Sequence, residues 1–430
     1  MASNKKRKSN PPWRRSLPPA AATAATIVSP PPLGGGMGRD LSNWLFPAFL
    51  LMILLGVWVI WRFGSAAGNP NPVRAMFIAM NAATLSGFNI DPGVGGLNDL
   101  GQWTALLLIV GGSLFTMIVG GLAVIRIVRL PFTDRDLIFA AFVAEAAALL
   151  IGTSLLLLDA DRTPFQAGFL AASAFGNCGL YLGNLPGSSN VLVHAVILPL
   201  SILGGLGLPV LMEVWCALVF RAKFSAHSRT VIGASAWLYV IGLLLILALN
   251  QAGHGWPTLP GVRDQLPSAS VLAIESRTGG LPIVGISSLT QPARWFLIVL
   301  MMIGASPAGT GSGLKSTTLI ELARGTRRLL SGQAPGRSFA IAFVWLAVYL
   351  ALALAAAMLL AYVSGSDPPD GILFNAISAM SNVGFTVSPV PDEKGLFFAY
   401  AAIILVGRMA PLMVLWWMAE TTADAELAIG

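Results

Sequence analysis

Eight stretches of roughly 20 mostly apolar residues recur along the chain, starting near Leu41, Gly101, Leu137, Val191, Thr230, Arg294, Ser338 and Leu396. A helix rises about 1.5 Å per residue, so each stretch is long enough to cross the ~30 Å hydrocarbon core of a bilayer. Lipid offers no partners for backbone N–H and C=O groups, so such a segment must satisfy its own as a helix. The pattern predicts an all-α membrane protein that crosses the bilayer repeatedly. Of the 430 residues only 10% are charged and 55% are hydrophobic, against about 25% charged in a soluble domain. That excludes the two or three soluble domains the length alone would suggest.

A net charge of +7 would suit a nucleic-acid binder, but its distribution argues otherwise. Basic residues gather at every second boundary between apolar runs: Lys5, Lys6, Arg7, Lys8, Arg14, Arg15 and Arg39, then Arg126, Arg129 and Arg135, then Arg221, Lys223 and Arg229, then Lys315, Arg324, Arg327, Arg328 and Arg337. These are 18 of the 26 Lys and Arg residues. The positive-inside rule then predicts cytoplasmic termini, with lipid as the partner and no nucleic acid. Residues 1–40 mix basic residues with Pro, Ala and Gly and read as a disordered tail attracted to lipid. Prolines follow the basic start where a cleavable signal peptide would have an apolar core. Cys178 and Cys216 lie in apolar surroundings, and His194, His227 and His254 lack ligand spacing, so neither a disulfide framework nor a resident metal site is expected.

Forty-six glycines and 28 prolines are many for a helical chain, since both weaken helix interiors. Some glycines fall in a fourfold repeat. AMNAATLSGFNI, AASAFGNCGLYL, LAIESRTGGLPI and AISAMSNVGFTV each place a short amphipathic segment before a glycine, and the glycines are Gly87, Gly179, Gly280 and Gly384. Each lies between two long apolar runs. The expected unit is span, short re-entrant helix, glycine turn, span, over residues 41–129, 130–222, 223–330 and 331–430. A segment of about ten residues cannot cross the bilayer and must turn back within it. Its carboxyl end then points inward, where the negative end of the dipole favours a cation and the following carbonyls can replace its water shell. One glycine turn is an ordinary loop; four in register predict a central pore, eight helices surrounding it.

SAFGNCGL at 173–180, SRTGG at 276–280, SAMSNVGF at 378–385 and, less distinctively, LSGF at 85–88 resemble the pore loops of the potassium transporters of the Trk, Ktr and plant HKT superfamily. The resemblance covers roughly residues 41–420. It implies a selectivity filter built from Leu85, Ser86 and Gly87, Asn177, Cys178 and Gly179, Thr278, Gly279 and Gly280, and Asn382, Val383 and Gly384, with potassium held at backbone carbonyls. Glycine at all four positions implies potassium over sodium, because a serine in the first loop goes with sodium preference in plant relatives.

GASPAGTGSGLKSTT at 304–318 is similar to the family's intramembrane gating loop, with Gly304, Ser306, Gly309, Gly311, Gly313 and Lys315 as gate residues. Small and polar residues there would interrupt the span that begins at Arg294. Leu314 separates Gly313 from Lys315 and no strand precedes them, so this is not a phosphate-binding loop. Arg408 matches the family's arginine in the last span; a cation buried there should face a cavity or a partner, and a barrier charge below the filter is the expected role. Two departures from the family pattern, Ala410 for an acid and Leu281 for an aromatic, bear on gating and on the filter walls. Glu275 and Arg277 could pair with each other or attract ions, and the pairs Gly111-Gly112 and Gly204-Gly205 should allow close helix packing.

The resemblance also implies a plasma (inner) membrane location, a homodimer regulated by a separate cytosolic nucleotide-binding subunit, and a transporter rather than an enzyme. Competing readings are a sodium or monovalent-cation transporter of the same fold and a non-conducting regulatory paralogue. A broken-helix secondary transporter or membrane enzyme would need buried carboxylates near the midplane, for which only Glu145 and Glu213 are candidates.

Overall fold

The computed structural model describes residues 37–64, 71–252, 259–365 and 368–427. His254 and residues 1–36, which hold most of the expected tail, lie outside them. The helix that follows the tail starts at Met37 rather than near Leu41.

The described residues are helical, with no named strand. In chain order they form α1 (Met37–Phe63), α2 (Pro72–Ala83), α3 (Asp99–Val128), α4 (Asp134–Leu156), α5 (Pro164–Gly176), α6 (Val193–Leu206), α7 (Leu208–Phe220), α8 (Ala226–Ala252), α9 (Leu259–Glu275), α10 (Gln291–Met302), α11 (Ser316–Leu330), α12 (Arg337–Ser364), α13 (Pro369–Met380) and α14 (Lys394–Leu427). Six of them, α1, α3, α4, α8, α12 and α14, are long and apolar enough to cross a membrane, and α6 with α7 forms a seventh candidate bent by 106°. This is a multi-pass membrane protein.

Local sequence sets where the short helices start. Pro72, Pro164 and Pro369 each open one of them, at the position where a missing N–H costs nothing and a fixed φ helps. Asn71 caps α2 by accepting from the N–H of Val73. Thr163 and Gln166 cap α5 reciprocally, which satisfies two of its otherwise unpaired donors.

Burial inverts that of a soluble protein. The most apolar windows of α1, α4, α8 and α12 are only 22%, 28%, 22% and 28% buried, whereas those of α3 and α14 are 83% and 50% buried. Large apolar side chains such as Trp44, Phe139, Leu150, Trp237 and Leu354 face outward, while Asn81, Ser86, Asn177, Asn382 and Arg408 are buried. An apolar girdle around a polar centre suits a lipid solvent. Each of α2, α5, α9 and α13 packs against the long helix preceding it, and α14 returns to pack on α2 and α3.

Two stretches depart from a straight span. The one starting near Arg294 is split into α10 and α11, as its glycine-rich middle predicts. The one starting near Val191 was expected to be continuous, with Gly204-Gly205 as a packing site, yet it breaks between α6 and α7 at Gly207, which has φ +84°. A left-handed residue followed two positions later by Pro209, which cannot donate to the preceding turn, ends one helix and starts the next. The packing role of the glycine pairs also takes a specific form: Gly112 abuts the Ala83 carbonyl and Gly204 the Phe175 carbonyl, each at the end of a short helix.

Candidate functional site

The four short helices end at the centre of the molecule in closely related turns. After α2, α5 and α13 the chain enters the left-handed region at Leu85 (φ 56°), Asn177 (φ 53°) and Asn382 (φ 51°), and again two residues later at Gly87, Gly179 and Gly384. In these three turns the N–H of Ser86, Cys178 and Val383 bonds back to the carbonyl of Asn81, Ser173 and Ser378. The third turn differs: only Gly280 has positive φ, at 55°, and the closing bond of the same reach is made by its own N–H, to the Glu275 carbonyl, rather than by the residue before it. The fourfold likeness is therefore broken at one turn.

The turns close a ring. A Cβ on Gly87 would strike the carbonyl oxygen of Cys178, one on Gly179 that of Gly279, one on Gly280 that of Val383, and one on Gly384 that of Ser86. Each glycine thus lies against the residue preceding the next glycine, in cyclic order. No side chain fits at these four positions, and the carbonyls of Ser86, Cys178, Gly279 and Val383 are drawn together from chain segments about 100 residues apart. Carbonyl dipoles grouped at the ends of four helices have the chemistry to attract a cation.

Buried side chains clamp each turn, and this layer was not legible in the glycine pattern. Asn81 holds both sides of Phe88, accepting from its N–H at 3.0 Å and donating to its carbonyl at 2.7 Å. Glu275 does related work in the third turn, accepting from the N–H of Leu281 at 3.1 Å and from Ser201 Oγ at 3.0 Å. Asn382 donates to Ser86 Oγ at 2.6 Å and to the Ile404 carbonyl at 2.8 Å. Asn177 donates to the Ser201 carbonyl at 3.0 Å and to Thr310 Oγ1 at 2.7 Å. The sequence signal was present: polar residues stand in otherwise apolar helices at Asn81 and Glu275, and Asn-x-Gly recurs at 177–179 and 382–384. Thr278 bonds its own helix, donating to the Ile274 carbonyl.

Against the ring runs the buried segment between α10 and α11. Its ends are joined by Gly304 N–H to the Leu314 carbonyl and Leu314 N–H to the Met302 carbonyl, both 2.9 Å. Ser306 N–H donates to the Gly205 carbonyl at 3.1 Å and Gly309 abuts that same carbonyl, so the segment is seated on the break between α6 and α7. Lys315 folds back, its Nζ 2.8 Å from the Gly311 carbonyl, and Gly313 takes φ +76°. Ser312 Oγ donates to the Gly407 carbonyl at 2.9 Å. Arg277 does not pair with Glu275; its guanidinium reaches the carbonyls of Ile303 and Gly304, both at 3.3 Å. The helix ends at Glu275, so the two side chains leave in different directions, one up to the turn and one down to the segment.

Arg408 joins these parts. It is 2% exposed and donates to the carbonyls of Thr84 at 2.7 Å, Leu85 at 3.2 Å and Thr310 at 2.5 Å. The Leu85 carbonyl is therefore engaged by the guanidinium. A cation at the negative end of α2 satisfies carbonyls that the helix leaves unpaired. Glu145 receives a hydrogen bond from Ser113 at 2.7 Å and Glu213 one from the Ser225 N–H at 2.8 Å. Ala410 and the buried Leu281 occupy the departing positions.

No protein-family model matches the chain. Among curated proteins, the Ktr system potassium uptake protein B of Vibrio alginolyticus is 29% identical over 274 residues, 60% of this chain and 59% of the relative. The potassium/sodium uptake protein NtpJ of Enterococcus hirae is 25% identical over 419 residues, 88% of this chain and 92% of the relative. The chain spans about three fifths of the length of the first curated relatives it matches. The crystal structure of the potassium transporter TrkH from Vibrio parahaemolyticus shares the fold, with a TM-score of 0.66 at 17% identity over 86% of this chain and 84% of that one. By sequence and by fold the chain resembles the pore subunits of the Trk/Ktr superfamily.

Proposed function

We propose, from this likeness to Trk/Ktr pore subunits, that the chain takes up potassium across the plasma membrane through the ring of four glycine turns. The observation that carries the reading is the cyclic contact of Gly87, Gly179, Gly280 and Gly384 with the carbonyls of Cys178, Gly279, Val383 and Ser86. Those carbonyls stand in for the first water shell of a monovalent cation, and the membrane potential contributes about 2.3 kcal/mol per charge per 100 mV. The proposed filter comprises residues 85–87, 177–179, 278–280 and 382–384.

The segment from Gly304 to Lys315, with Ser306, Gly309, Gly311 and Gly313, lies across the inner side of that path and acts as its gate, with Arg408 as the charge at its edge. In this reading the chain is four repeats over residues 41–129, 130–222, 223–330 and 331–430, eight spans in all, with cytoplasmic termini. Two of the inner spans are broken, one at Gly207 and one at the gate. A homodimer and a separate cytosolic nucleotide-binding regulator, as the resemblance of the pore loops implies, complete the proposal.

The name of the Enterococcus relative keeps a second reading, a combined potassium and sodium carrier, in view. Growth of a potassium-uptake-deficient strain separates the two. Rescue at low potassium, with uptake little changed by excess sodium, is expected; sodium uptake without rescue would overturn the potassium reading.

A further inference from the structure

Thr310 lies at the middle of the segment beside the ring, and its polar groups bond four residues in three different parts of the chain. Its N–H donates to the Gly204 carbonyl at 3.1 Å, at the end of α6. Its hydroxyl donates to the Phe175 carbonyl at 3.3 Å, in the last turn of α5, and accepts from Asn177 Nδ2 at 2.7 Å. Its carbonyl accepts from Arg408, which also holds Thr84 and Leu85. Thr310 is fully buried, so water does not substitute for these partners.

The bond to Asn177 matters most. Asn177 is a non-glycine residue in the left-handed region, φ 53°, two positions before Gly179. A side chain there is strained by about 1–2 kcal/mol unless a local hydrogen bond compensates. Both hydrogens of its amide are used, one on the Ser201 carbonyl and one on Thr310 Oγ1. Removing the threonine hydroxyl frees one of them and leaves a buried donor unpaired. The next residue, Cys178, supplies the carbonyl that meets Gly87.

We propose that Thr310 is a positioning residue for ion discrimination: through Asn177 it fixes the second turn, and through Arg408 the first, so the inner segment and the ring are set as one unit. The inference rests on reading the ring as a filter. It adds that discrimination depends on a side chain lying outside the ring, on the segment that obstructs the inner path.

The test uses the full chain reconstituted in liposomes, with potassium and sodium uptake measured over a concentration series. Thr310→Val keeps the shape and both backbone bonds but removes the hydroxyl; Thr310→Ser keeps the hydroxyl. Valine should raise the half-saturation concentration for potassium and lower the potassium-to-sodium preference by about fivefold, equivalent to roughly 1 kcal/mol, while serine retains parental values. An effect on uptake rate alone, with preference unchanged, would overturn the inference, because a simple plug or packing residue acts in that way. Should the valine protein fail to assemble, Asn177→Asp removes that donor from the other side, along with the one on the Ser201 carbonyl, and must lower preference at least as far; unchanged preference overturns the proposal equally. A parent protein that does not discriminate at all removes the filter reading and this inference together, whereas a discriminating parent with an equally discriminating Thr310→Val removes this inference alone.

Discussion

The guanidinium of Arg408 and the main-chain carbonyl of Thr84 meet at 2.7 Å across 324 residues of chain. The contact ties α14 to the end of α2, next to the first of the glycine turns. The same side chain holds Thr310 of the buried segment, so one cation touches both the proposed filter and the proposed gate. Hydrogen bonds from a charged donor contribute about 1.5–3 kcal/mol each, more than neutral ones.

Replacing Arg408 with glutamine removes the charge and at least one of these bonds. Uptake of potassium should rise several-fold as the barrier charge is lost, and the melting temperature of the detergent-solubilised protein should fall. Flux assays in liposomes with a thermal melt check both; lowered flux together with an unchanged melt would contradict the barrier role.

Gly280→Ser places a Cβ on the Val383 carbonyl. The turn must open, and potassium preference should fall about tenfold or more, the cost of misplacing one ring carbonyl by about 1.4 kcal/mol. Gly187, which has open space around its Cβ position, is the control: Gly187→Ala should leave uptake unchanged. Parallel ion-competition assays on the two variants decide the matter.

Glu275→Ala leaves the N–H of Leu281 and the hydroxyl of Ser201 without their acceptor. Each unmet buried donor costs about 1–3 kcal/mol, so the protein should melt at a lower temperature and discriminate poorly. Glu275→Gln keeps one amide oxygen as acceptor and should fall between parent and alanine in both measurements.

The bend at Gly207 makes a prediction the sequence did not. A Cβ there lies 2.7 Å from the Ala308 carbonyl carbon and 2.8 Å from Gly309 N, at φ +84°. Gly207→Ala should loosen the seat of the buried segment, lowering the melting temperature and raising uptake, both read on the same reconstituted preparations. Wild-type values for both would show that the break between α6 and α7 does not seat it.

What was legible in the sequence was whatever changes local composition. The apolar runs located the long helices, and four glycines at matching places located the turns. The run of small residues at 304–313 announced an interrupted span. The second break escaped notice because Gly204-Gly205-Leu206-Gly207-Leu208-Pro209 is as apolar as its surroundings, and a glycine pair in a membrane helix ordinarily signals packing. The clamping layer escaped for a different reason. Asn177 with Thr310 and Asn382 with Ser86 pair across 133 and 296 residues, contacts made only when the ring closes, whereas Asn81 and Glu275 stand out as polar residues in apolar helices without their partners being named. Arg277 shows the limit of spacing arguments: two positions from Glu275, it serves the segment below rather than its neighbour.

The central claim, that four carbonyls and four glycines form one cation site, is tested most directly by where an ion sits. A structure determined with rubidium or thallium in place of potassium, with anomalous scattering recorded, should show a peak enclosed by the carbonyls of Ser86, Cys178, Gly279 and Val383. A parallel structure in sodium alone should show no comparable peak. No peak at the ring in either heavy cation, from protein that transports potassium, would contradict the account.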